Sequence, residues 1–296
     1  MKIAIGAAAG NVGSRTARQL SAAGIETLLI GRNGSHLSAL DLPNAQIRPA
    51  DMSDAQQVVK ATQGADALLW LVPQTLTVPG LKGLYEAVTA AGVAAVRANR
   101  IKRVVLVSSL GVGMADHLGT VTYAAKMEQA FYETGCHVVA LRPGYFMENF
   151  LLQRHDILQH GFFAFPYEED HDIPFVSTDD IGDVAAAYLA DATWAGQWTR
   201  NLMGPRNLTL PGAARLISTV LGRPVQYRKV TYEAIAQQFA ALGASATVQK
   251  ELDDLYRALG DPHGAYATPR TLEANTPTFL EQVIRTKLLD SSRPGS

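Results

Sequence analysis

Short apolar runs alternate with helix-length stretches through the first half of the chain. The runs Lys2 to Ile5, Thr27 to Ile30, Ala45 to Arg48, Ala67 to Val72, Val104 to Val107 and Val138 to Leu141 show little polar interruption, as strands buried on both faces require. Between them, Val12 to Ala23, Leu81 to Ala98 and Thr120 to Thr134 have helical composition. This rhythm predicts βαβ units, and so a parallel sheet covered by helices on both faces. The expected fold class is α/β: a Rossmann-type doubly wound sheet over residues 1–145, to which some later segments return.

After Pro143-Gly144 the pattern changes. Phe162, Phe163, Phe165 and Pro166 precede a polar stretch, Glu168 to Asp172, and a strand is expected at Ile173 to Val176. Ser177-Thr178-Asp179-Asp180 supplies an N-cap cluster for a helix through Ala190. A strand over Gly196 to Met203, a helix opened by Thr209-Leu210-Pro211, a strand over Val225 to Val230 and helical segments from Thr231 to near Leu289 complete the reading. Residues 146–289 are expected to form a smaller α+β substrate-binding part, and 290–296 a flexible tail.

Charge removes several function classes. With 26 Lys+Arg against 27 Asp+Glu, a net charge of −1 and no dense basic run, the chain lacks the footprint of a nucleic-acid or anionic-membrane binder. No stretch reaches the roughly 20 apolar residues of a bilayer span, and Met1 to Ile5 is too short for a signal-peptide core. Cys136 stands alone, which fits a reducing compartment; a cytoplasmic protein, monomeric or homodimeric, is expected. The seven histidines form no His-x-x-x-His pair, so no metal site is expected. The absence of Gly-x-Ser-x-Gly argues against hydrolase chemistry.

The turn after the first run reads Gly6-Ala7-Ala8-Ala9-Gly10-Asn11-Val12-Gly13. At the first βα turn of such a chain, small residues let backbone amides and the positive end of the helix meet a pyrophosphate. Gly6, Ala8, Ala9, Gly10, Asn11, Val12 and Gly13 are therefore expected to bind a dinucleotide. The second run ends at Arg32, where an NAD-preferring site carries a carboxylate; a guanidinium suits a 2′-phosphate, and no carboxylate nearby is expected to oppose it, so NADP(H) is expected over NAD(H). Asp51 and Met52 end the third run beside the adenine, and Val72 and Pro73 end the fourth along the groove wall.

The Gly6 to Gly13 turn, with four further segments, makes the chain resemble the NmrA-like family of atypical short-chain dehydrogenase/reductases. Gly10 and Gly13 match the last two glycines of that family's G-x-x-G-x-x-G, while the first falls on Ala7. The others are Arg103 to Ser109 followed by Lys126 and Glu128; Leu141 to Asn149, with Arg142-Pro143-Gly144-Tyr145; Ile173 to Val176 with Asp179-Asp180-Ile181; and Met203-Gly204-Pro205 with Leu221 to Val225. The resemblance implies a dinucleotide cofactor and places Lys126 at the nicotinamide ribose. Ser108, Ser109, Pro143, Gly144 and Tyr145 fall around the nicotinamide. The family includes NADPH-dependent quinone reductases, reductases of other aromatic substrates, and regulators that bind dinucleotide without turnover. Two functions follow as expectations: an NADPH-dependent reductase of a quinone or similar apolar, aromatic acceptor, or a non-catalytic NADP(H) sensor acting through a protein partner.

Conventional short-chain dehydrogenases use Tyr-x-x-x-Lys to deliver a proton. Here Thr122 lies four residues before Lys126 and Tyr123 three, positions about 100° apart around a helix. Tyr123 is thus a poorly aimed proton donor. Tyr145 is the other candidate to face substrate, by stacking or as an acid, and Phe146, Phe162, Phe163 and Phe165 are candidates to line the cleft.

Overall fold

The structure, a computed structural model, describes residues 1–73, 75–114 and 117–290. Gln74 and the expected tail beyond Asp290 lie outside these residues. Five βα units and a sixth strand build the first part: β1 (Lys2–Ile5), α1 (Asn11–Ala22), β2 (Glu26–Gly31), α2 (Gly34–Ser38), β3 (Ala45–Pro49), α3 (Ala55–Ala61), β4 (Ala67–Trp70), α4 (Leu81–Asn99), β5 (Arg103–Val107), α5 (Thr120–Tyr132) and β6 (His137–Pro143). There follow β7 (Tyr145–Phe146), β8 (Phe162–Phe165), β9 (Ile173–Val176), α6 (Thr178–Ala190), β10 (Gln197–Leu202), β11 (Asn207–Leu208), α7 (Leu210–Leu221), β12 (Gln226–Lys229), α8 (Tyr232–Ala241), α9 (Ala246–Gly260) and α10 (Leu280–Val283).

The main sheet has seven parallel strands in the order β10-β6-β5-β4-β1-β2-β3. It is the doubly wound fold read from the alternation. Its central strands need apolar residues in succession because each face packs on helices. Leu28, Leu68, Trp70 and Val104 meet α3, α4 and α5 on one side; Ile3, Ile5, Leu69 and Val105 meet α1 and α6 on the other. Each such side chain stabilises the fold by roughly 1.5–3 kcal/mol relative to exposure.

The seventh strand, β10, pairs with β6 from Gln197↔Val138 to Leu202↔Pro143. The chain thus leaves the sheet after β6 and comes back to its edge. Returning with it, α6 packs on α1: Arg15 Nε lies 2.6 Å and Gln19 Nε2 2.7 Å from the Asp183 carboxylate, and the buried Thr16 hydroxyl donates to the Gly182 carbonyl at 3.2 Å. Glu148, 5% exposed, accepts from the Ser177 hydroxyl and Thr178 N–H at the start of α6, and pairs with Lys287 at 2.6 Å.

One segment departs from the sequence expectation. Phe162–Phe165 is a strand, β8, paired with β12, at a place where the pattern of the chain predicts no element. Its residues supply a third core with Phe150, Tyr167 and Phe175.

Candidate functional site

Strand order reverses between β1 and β4, which opens a crevice at their carboxyl ends. Residues 6–13 follow β1, Arg32 follows β2, Asp51 and Met52 follow β3, Val72 and Pro73 follow β4, Ser108 and Ser109 follow β5, and Pro143 to Tyr145 close β6. The fold thus gathers the sequence-derived residues along one edge of the sheet.

The first turn forms a cradle. Ala8 N–H bonds the Ile30 carbonyl at 3.0 Å and Gly10 N–H the Ala7 carbonyl at 2.9 Å, which tightens the loop against β2. The first bond of α1 runs from Ser14 N–H to the Gly10 carbonyl, and no side chain caps the helix. The amides of Asn11, Val12 and Gly13 therefore stand at the positive helix end without intrahelical or capping partners. A Cβ on Gly13 would overlap the Ala7 carbonyl oxygen, so only glycine lets helix and loop close this tightly. Ala7, in place of the family's first glycine, adopts φ +48°, a left-handed conformation that costs an alanine about 1–2 kcal/mol. Met52 supports the turn from below, its Sδ 3.0 Å from Ala7 N–H. Uncapped amides, small residues and a close turn fit a pyrophosphate.

At the second strand's end Arg32 is exposed, as expected. The sequence suggested that no carboxylate opposes it; the fold corrects this. Asp51, nineteen residues on, is brought near by the β2–β3 pairing, which sets Gly31 opposite Pro49. Hydrogen bonds from Ser53 N–H at 2.9 Å and its hydroxyl at 2.7 Å hold the Asp51 carboxyl below its ordinary pKa, and attraction to Arg32 adds to this. Asp51 is thus turned into its own loop.

At the other end of the crevice Lys126 is exposed on α5 and makes no hydrogen bond or ion pair with the described residues. Ser109 donates to the Leu110 carbonyl at 3.1 Å, and Ser108 to Glu128 at 2.5 Å. Thr122, where a conventional enzyme has tyrosine, accepts from Leu118 N–H at 2.8 Å and braces the start of α5.

Neither tyrosine candidate presents a hydroxyl to open space. Tyr123 donates to Glu251 of α9 at 3.1 Å. Burial, then that carboxylate, pushes its pKa up to about 12. Glu251 also accepts from Leu81 and Lys82 N–H at the start of α4, so the contact is a clasp between α9, α4 and α5. Tyr145 is 8% exposed, its ring edge-to-face with Phe165 and Phe175 at 5.5 and 5.6 Å. Burial, then Tyr256 and Tyr266, raise its pKa well above the usual value. It is a core position rather than a cleft wall. Phe163 and Phe165 are likewise core, at 0% and 2% exposure, while Phe146 and Phe162 are half-buried.

Sequence reasoning missed what roofs this edge. Gly111, just after β5, packs so closely on Ala265 that a Cβ would overlap it, and α9 crosses the start of α5. Nothing local in either segment announces the contact. An open cavity of about 470 Å³, lined by Arg97, Arg100, Lys102, Cys136 and His137 among others, lies at the amino ends of β5 and β6. It is on the side away from the crevice and belongs to a different surface. Among the described residues no group of three or more His, Cys, Asp and Glu is placed to hold a metal, and no helix is long and apolar enough to cross a membrane.

A doubly wound sheet with an uncapped, glycine-tight first turn defines a dinucleotide-binding protein. The model of the NAD(P)H-binding family matches residues 7–192, and the chain belongs to that family. It is 25% identical over 255 residues to the NAD(P)H azoreductase of Xenophilus azovorans, covering 86% of this chain and 85% of that one. Among solved structures it is similar to the NADPH-dependent quinone oxidoreductase of Escherichia coli complexed with NADPH (TM-score 0.76, 23% identity, 96% and 98% of the two chains). It is also similar to the Citrobacter sp. triphenylmethane reductase complexed with NADP(H) (TM-score 0.78, 18% identity, 96% and 99%).

Proposed function

We propose that the protein is an NADPH-dependent reductase that passes hydride to a quinone or a similar conjugated, aromatic acceptor. The observation that carries the cofactor half is the uncapped amino end of α1, closed on Ala7 by Gly13, with Arg32 exposed beyond β2. The acceptor class is drawn from the azoreductase and the quinone and triphenylmethane reductases, whose named substrates are all conjugated.

The chain's own contribution is to hold and to exclude. Amides of Asn11 to Gly13 meet the pyrophosphate, Arg32 the 2′-phosphate, and Lys126 the nicotinamide ribose. NADPH, when bound, supplies the hydride. With the Tyr123 hydroxyl bonded to Glu251 and Tyr145 8% exposed in the aromatic core, neither tyrosine candidate is poised to deliver a proton, and the reduced acceptor takes its proton from water. An electron-poor ring tolerates this because hydride attack needs no prior protonation.

NADPH oxidation, followed at its absorbance band against a panel of quinones, azo dyes and triarylmethane dyes, is expected to show turnover with at least one acceptor class. No turnover anywhere, with dinucleotide still bound, would favour the sensor. Arg32→Ala is expected to lower NADP⁺ affinity about tenfold or more and to leave NAD⁺ affinity within about twofold, the loss of one charge-assisted pair. Calorimetric titration of both cofactors decides it: an unchanged NADP⁺/NAD⁺ ratio rules Arg32 out as the 2′-phosphate ligand.

A further inference from the structure

We propose that Glu128, acting through Ser108, makes the nicotinamide end of the crevice a hydrogen-bond acceptor, and that the donor it takes is the carboxamide NH₂ of the cofactor. Glu128 is 1% exposed on α5, two residues beyond Lys126. Four donors converge on its carboxylate: the Ser108 hydroxyl at 2.5 Å, Arg142 Nε at 3.0 Å, Arg142 Nη2 at 2.6 Å and the Tyr132 hydroxyl at 3.4 Å. Arg142 Nη1 also donates to the Val112 carbonyl at 3.2 Å. One buried ion pair therefore joins α5, the end of β5, the loop that follows it, and β6 at the residue before Pro143-Gly144-Tyr145.

The consequence is a fixed polarity. A serine hydroxyl carries one proton, and a carboxylate can only accept. With that proton committed to Glu128, Ser108 has only lone pairs to offer a ligand. It cannot donate to a carbonyl oxygen of the acceptor, so it is no proton source. It can accept from an amide NH₂, and the nicotinamide carboxamide carries one. Glu128 and Arg142 are positioning residues in this scheme, because they touch neither cofactor nor acceptor. Breaking the bidentate pair would free Ser108 to rotate its proton toward the ligand.

This rests on the dinucleotide reading above, and the test separates the two. Calorimetry on the full-length protein compares NADP⁺, its 3-acetylpyridine analogue, in which a methyl group replaces the carboxamide NH₂, and 2′,5′-ADP, which carries the adenine half alone. The wild type is expected to bind the analogue about tenfold more weakly than NADP⁺, the size of one hydrogen bond to a group left unpaired. Ser108→Ala and Glu128→Leu, which leaves the Ser108 hydroxyl no acceptor on α5, are each expected to bind the two dinucleotides within about twofold of one another, with 2′,5′-ADP affinity unchanged. The double variant is expected to behave as either single one, since one residue acts through the other. A wild type that does not discriminate, or a Ser108→Ala protein that still does, overturns the proposal. So does Glu128→Leu with discrimination intact, even with a lowered melting temperature, which would mark the pair as merely structural. If Glu128→Leu does not fold, Ser108→Ala decides alone, because it leaves the Glu128–Arg142 pair in place. Failure of the wild type to bind any of the three ligands overturns the dinucleotide reading itself.

Discussion

Gly13→Val is expected to abolish dinucleotide binding and to destabilise the fold by about 3 kcal/mol. The first β carbon added at this position meets the Ala7 carbonyl oxygen, with the Ala7 carbonyl carbon and Ala8 Cα 2.9 Å away. All three are backbone atoms, so no side chain can swing aside. The loop must instead back away from α1, and in doing so it moves the amides that are to meet the pyrophosphate. Ala7 leaves little room for that adjustment, because it already sits at φ +48°. Fluorescence titration with NADPH and urea unfolding check the two effects separately. A variant that binds NADPH within threefold of wild type would show that this turn does not hold the phosphates.

Glu148→Ala is expected to cost about 3–4 kcal/mol, the range for removing one partner of a buried ion pair. Lys287, 9% exposed on its side chain, would keep Asp179 at 2.8 Å but lose its 2.6 Å contact to Glu148. Ser177 Oγ–H and Thr178 N–H would lose their acceptor in a region with little water. The denaturant midpoint reads the loss. Because α6 braces α1 through Asp183, a smaller fall in dinucleotide affinity is expected to accompany it. A change below about 1 kcal/mol would mean that Asp179 alone satisfies Lys287.

The parts of the fold legible in the sequence are those whose cause is local. Apolar, mainly β-branched runs such as Val104 to Val107, spaced by helix-length segments, read as strands buried on both faces, and the Ser177 cap marks its helix because the capping bond spans two residues. The glycine turn was legible for the same reason. What stayed hidden depends on contacts between distant residues. The nearness of Asp51 to Arg32 follows from the pairing of β2 with β3, which no pattern at either residue reveals. Tyr145 sits two residues after a strand end and reads as a cleft residue, yet Phe165 and Phe175 close over it. The strand at Phe162–Phe165 was missed because three phenylalanines in four residues suit any buried segment, and only its partner, β12, decides between them. Glu128 was visible as part of a motif, but its role appears only when β5 and β6 bring Ser108 and Arg142 to it.

The return of β10 to the edge of the main sheet bears on how the chain is made. A nascent chain that has emerged only as far as β6 holds the glycine turn, Arg32 and Lys126, but not the strand that covers β6 or the helix that braces α1. Until Leu202 has followed, that edge offers unpaired backbone to any neighbouring strand. The interval is filled by Phe150, Phe163, Phe165 and Phe175, which end buried together. Synthesis therefore exposes its most apolar segment while the sheet is still open, when an unpaired edge and uncovered aromatic rings are both available to other chains.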